Sequence, residues 1–168
     1  SEIEIDVLIN NAGINPNAQP IFYMDYKDVE TAFKVNYFAP FLITKHIASL
    51  MIRRGKCSII DITSTVSINI EPGECAYGAS KAALNLSIQT LAQELAPFKV
   101  RINGIACGIL NSDMFHSLED KTQKKFLKRV ATKRPAELHE ISEVALFLAS
   151  DKSSYITGSI LKVDGGFV

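Results

Sequence analysis

The chain has 168 residues, enough for one domain with a sizeable core. Its 18 basic residues balance 18 acidic ones and 47% of it is apolar, so a general attraction to nucleic acid or to anionic lipid is excluded as the basis of its function. Cys57, Cys75 and Cys107 are odd in number and form no C-x-x-C pair, which speaks against a disulfide framework or zinc knuckle and for a reducing, cytoplasmic setting. No apolar run approaches the roughly 18 residues of a membrane span, and "SEIEIDVLINNAG" (1–13) lacks the pattern of a secretion signal.

"IDVLIN" (5–10) is almost continuously apolar and ends in "NAG", which predicts a parallel strand buried on both faces. Residues 25–52 carry apolar side chains at helical spacing, with Asp25 placed to cap the helix and Pro40 to kink it. "CSIIDITS" (57–64) reads as a second strand, and a loop holding Pro72 and Gly73 leads to a helix over 75–96 that Pro97 closes. "KVRINGIACG" (99–108) gives a third strand and "SILKVDGG" (159–166) a fourth. A polar, Lys-rich stretch (119–134) and a helical segment (137–150) lie between them. Strands alternating with helices mean an α/β fold, a doubly wound parallel sheet with helices on both faces. Such sheets bind ligands beyond the carboxyl ends of their strands, where Gly13, Ser64 and Gly108 fall.

In "CAYGASKAALN" (75–85), Tyr77 and Lys81 share one helix face, since residues four apart lie one turn above each other. On spacing alone, the pair reads first as packing, a ring lying under a solvated lysine. "NNAG" (10–13), Ser64 thirteen residues before Tyr77, Lys81 four beyond it, Asn36 in "FKVNYFAPF" and the closing "YITGSILKVDGG" (155–166) together resemble the short-chain dehydrogenase/reductase family. The resemblance runs from about residue 5 to the carboxyl end and implies a Rossmann-like fold. The first three strands of that fold are expected to be missing from this chain, leaving residues 1–168 as a single partial domain that carries the nicotinamide and substrate half.

The resemblance implies hydride transfer between NAD or NADP and a carbonyl or secondary alcohol. A 3-oxoacyl thioester or a hydroxysteroid-like compound would be the small-molecule substrate. A carbonyl that accepts hydride develops negative charge on oxygen and needs a donor and a proton. Tyr77 would be acid and base, Ser64 would hold the substrate oxygen, and Lys81 would lower the proton affinity of the phenol and bind the ribose hydroxyls. Asn36 would support a water linking the lysine to solvent. Cofactor contacts are expected at Asn11, Ala12, Gly13, Tyr77, Lys81, Gly108, Leu110 and Ser112. No metal, membrane or nucleic-acid partner is implied.

The chain departs from the family pattern in several places. No Gly-rich phosphate-binding turn occurs anywhere in it, and the strand at 5–10 is expected to form a bare apolar edge. Cys107 stands where the family usually has Pro, and Ser112 replaces Thr. A catalytically silent oligomerisation or binding module is the alternative reading. Thiol chemistry at Cys75 or Cys107 lacks a recognisable His partner, so both are read as small core residues. His46, His116 and His139 have no metal-like spacing and read as surface or packing residues. The seven basic residues from Lys121 to Arg134 read as a solvated face over the site. Phe38, Phe41, Leu84, Ile88 and Leu91 exceed what one sheet face covers, which points to a homodimer or homotetramer built on the two long helices.

Overall fold

The computed structural model describes residues 4–16 and 18–168. Four parallel strands, β1 (Val7–Asn10), β2 (Cys57–Ser64), β3 (Val100–Cys107) and β4 (Ile160–Val163), lie side by side in chain order. The register sets Ser64 opposite Cys107 and Cys107 opposite Val163, so three strands finish along one line. This line is the floor of the candidate site.

Helices cover both faces because the central strands are apolar on both. On one side Cys57, Ile59, Val100 and Ile102 meet Met51 of α2 (Ala39–Arg54) and Leu84 and Ile88 of α3 (Cys75–Leu95). On the other, Ile60 and Ile105 meet Ile141, Ala145 and Leu148 of α6 (Leu138–Ala149). The alternation is the two-residue period of a strand read by two helical layers. Leu84 and Ile88 are thus core residues that face the sheet, not part of an outward surface as the composition suggested. Phe38, Phe41, Leu42, Ile43 and Leu86 form that surface instead, each more than a third exposed.

Residues 25–52 do not form one helix. Asp25 caps α1 (Tyr26–Phe33) by accepting from Lys27 N at 2.9 Å, a π-helical turn spans Lys34–Phe38, and α2 follows. Pro40 lies at the start of α2 and has no N–H to offer the Asn36 carbonyl four residues earlier, so the chain winds wider there and Asn36 is turned fully inward. The expected kink therefore falls one turn before the proline.

The stretch at 119–134 is largely helical, with α5 (Asp120–Arg129) following the single turn α4 (Asp113–His116). β4 ends at Val163, earlier than the expected 166, because Gly165 and Gly166 turn at positive φ. β1 is the expected open edge, with Val7 36% and Ile9 48% exposed. Among the described residues no helix is long and apolar enough to cross a membrane.

Candidate active site

Ser64 is the last residue of β2, buried, and its Oγ accepts from Val66 N at 3.3 Å. Its carbonyl accepts from Ser67 Oγ, which itself accepts from Asn85 Nδ2 at 2.7 Å, so the strand end is tied to α3. Gly78 lets the helix approach: a Cβ there would lie 3.3 Å from Val66 Cγ1 and Val66 O. The close packing sets Tyr77, one residue earlier, beside Ser64. Burial raises the proton affinity of the Tyr77 phenol; hydrogen bonding with Ser64 opposes this, and Glu74 and Cys107 add to it.

Lys81 lies one turn further along the same helix. It is 3% exposed, and its ammonium donates to the Ile62 carbonyl at 2.8 Å. Burial lowers its own pKa, while Asp61 and Cys107 work to raise it. Asp61 is itself buried on the same sheet face, accepts from Asn10 Nδ2 at 2.7 Å and is pushed up to about 6 by desolvation. The same Asn10 nitrogen donates to Thr44 Oγ1 at 3.1 Å. A charged residue in the otherwise uncharged strand "CSIIDITS" was the one sequence signal for this buried group.

Asn36 spends its side chain on bracing. Its Oδ1 accepts from Ile14 N at 2.9 Å, and its Nδ2 donates to Ile14 O at 2.9 Å and to Ser80 Oγ at 3.0 Å. This clamps the loop after β1 to α3. A Cβ on Gly13 would lie 3.2 Å from Lys81 Nζ and 3.4 Å from Asn36 Oδ1, so the glycine lets the backbone rest on both. Asn11, Ala12 and Gly13 are exposed at this rim.

Ser64, Tyr77, Lys81, Asn36 and Gly13 thus lie at one end of the sheet. Gly108, Leu110 and Ser112 occupy the neighbouring loop after β3. Gly108 crosses β4's end so closely that a Cβ would sit 2.7 Å from Asp164 Cα. Leu110 packs against the α6 core and is bridged to Ala136; Ser112 precedes α4 without capping it. Cys107 is buried at the end of β3, its thiol pushed up to about 11 by desolvation. Cys75 is exposed, contrary to its reading as a core residue. His46, His116 and His139 are all exposed.

The family described as enoyl-(acyl carrier protein) reductase matches residues 3–168. The chain belongs to the short-chain dehydrogenase/reductase family. It is 38% identical over 164 residues to the 3-oxoacyl-[acyl-carrier-protein] reductase FabG of Thermotoga maritima, covering 98% of this chain and 66% of that protein. It is 36% identical over 161 residues to a 3alpha-hydroxysteroid dehydrogenase of Mediterraneibacter gnavus, covering 96% and 64%. Its fold superposes on a 7 alpha-hydroxysteroid dehydrogenase solved with NADH and 7-oxo glycochenodeoxycholic acid, with a TM-score of 0.92 at 32% identity and coverage of 98% and 64%. The chain therefore spans about two thirds of the length of these short-chain dehydrogenase relatives.

Proposed function

We propose that the chain contributes the nicotinamide and substrate half of an NAD- or NADP-dependent oxidoreductase, forming one partial Rossmann-like domain. The observation that carries this reading is the meeting of Ser64 and Tyr77 at the carboxyl edge of a parallel sheet, with Lys81 one turn along the same helix. When bound, the nicotinamide supplies or accepts the hydride. The exposed backbone of Asn11–Gly13 and the glycine over Lys81 fit its ribose end, while a pyrophosphate cradle is not among these residues.

In carbonyl reduction Ser64 donates to the substrate oxygen, and the Tyr77 phenol gives that oxygen its proton. A phenol holds its proton near neutral pH, and burial favours that protonated form further, so the proton is in place when the oxygen gains negative charge. In alcohol oxidation the phenolate takes the proton back. Lys81 holds the ribose hydroxyls and supports the phenolate, and Asn36 is a positioning residue that fixes the loop carrying Asn11–Gly13. FabG and the hydroxysteroid dehydrogenases point to a 3-oxoacyl thioester or hydroxysteroid-like substrate.

Three free cysteines fit a reducing, cytoplasmic setting. The apolar surface of α2 and α3 borders a groove of about 570 Å³ lined by Phe41, Ala48, Leu86 and Leu91, which fits a homodimer or homotetramer. The deciding experiment is Tyr77→Phe in the full-length protein, assayed with both nicotinamide cofactors. Turnover is expected to fall by roughly 10²- to 10⁴-fold with the fold intact. Turnover equal to wild type would overturn the reading.

A further inference from the structure

Glu74 and Asn15 form a pair that acid–base catalysis by Tyr77 does not use. Glu74 precedes α3, one turn before Tyr77, and Asn15 follows the loop that Asn36 clamps. Asn15 Nδ2 donates to Glu74 Oε1 at 3.3 Å. Each of the two planar groups has one oxygen left over, and both oxygens, Glu74 Oε2 and Asn15 Oδ1, are buried without a hydrogen-bond partner among the described residues. Two lone acceptors on side chains already joined by one bond cannot satisfy each other unless a proton lies between them.

We propose that Glu74 is held as a neutral carboxylic acid that donates through Oε2 to Asn15 Oδ1, closing a two-bond acid–amide pair that fastens the loop after β1 to the start of α3. The environment favours this state. Burial raises the Glu74 pKa, and Glu71 adds repulsion, although Glu71 is itself paired with Arg129 of α5. From the loop Glu74 meets the uncharged Asn15, and from its own helix Tyr77. Ionisation would break the pair and place a negative charge beside the phenol, raising the proton affinity of Tyr77 further. Glu74 is therefore a positioning residue whose proton state tunes its neighbour. The catalytic consequence rests on the reading of Tyr77 as acid and base; the proton on Glu74 does not.

The test is the titration of the Glu74 side-chain carboxyl by carbon NMR in the full-length protein, with Glu74→Gln to assign the signal. The carboxyl is expected to titrate well above the ordinary glutamate range, and an ordinary titration would overturn the proposal. Glutamine can make both bonds of the pair and cannot ionise, whereas alanine can make neither. Glu74→Gln should therefore match the wild-type melting temperature at acidic pH and exceed it as pH rises through the Glu74 pKa, with Glu74→Ala below both at acidic pH. A wild-type advantage over Glu74→Gln at every pH would also overturn it. In alcohol oxidation Glu74→Gln should shift the rising limb of kcat against pH to lower pH; an unmoved limb would remove the link to Tyr77. A late-titrating Glu74 in a protein without nicotinamide-dependent turnover would leave the pair standing and sink the reading of Tyr77 alone.

Discussion

At the scale of single residues, burial outweighs charge pairing in this site. Desolvation is the largest influence on the Tyr77 phenol and raises its proton affinity against the opposing hydrogen bond with Ser64. Asp61 shows the same balance. An acid whose pKa rises on folding, here from 3.8 to about 6, binds more protons folded than unfolded between those values, so its contribution to stability falls as pH climbs through that window. Asp61→Asn should remove this loss, on the order of 2 to 3 kcal/mol above pH 6, while withdrawing the negative charge that favours the Lys81 ammonium. Denaturant melts of both proteins across the window would check it; parallel pH dependences would contradict it. Asn36→Ala leaves both Ile14 backbone groups and Ser80 without their partner, and a loss of about 2 to 4 kcal/mol is expected in the same melts.

At the scale of elements, the close approaches of glycines decide how strands and helices meet. At Gly104 of β3 a Cβ would come 2.8 Å from Ile160 Cδ1 and 3.0 Å from Ile88 Cδ1, both ends of flexible side chains. Gly104→Ala should cost about 1 to 3 kcal/mol, an overpacking loss that repacking limits. At Gly108 the obstacle is Asp164 Cα, which is backbone and cannot swing away. Gly108→Ala should therefore destabilise more than Gly104→Ala, a ranking that thermal melts read directly. The π-helical turn is another element-scale outcome. Helical periodicity in 25–52 was plain, but a period averages over turns and does not register one extra residue wound in beside Asn36.

At the scale of the whole molecule, the apolar surfaces left open among the described residues include the β1 edge at Val7 and Ile9 and the α2–α3 face around Phe41 and Leu86. A charge placed in the middle of the helical face has to be desolvated on association. Leu86→Glu should shift a homodimer or homotetramer to smaller species in sedimentation, with the far-ultraviolet circular dichroism unchanged. An unchanged sedimentation coefficient would contradict the proposed assembly through this face.

Four parallel strands, helices on both faces of the sheet and the line of Gly13, Ser64 and Gly108 at the strand ends were legible in the residue pattern, whereas the order of the strands was not. Those features are local: strand period, helix period and turn residues are written within a few positions of one another. The sequence also brought Tyr77 and Lys81 to one helix face. Only the tertiary structure decided what surrounds them. Asn10 and Asp61 are 51 positions apart, and Asn15 and Glu74 are 59 apart, yet each pair shares a hydrogen bond. Proton affinities depend on burial and on such distant partners, and neither exists until the sheet and its helices have closed together.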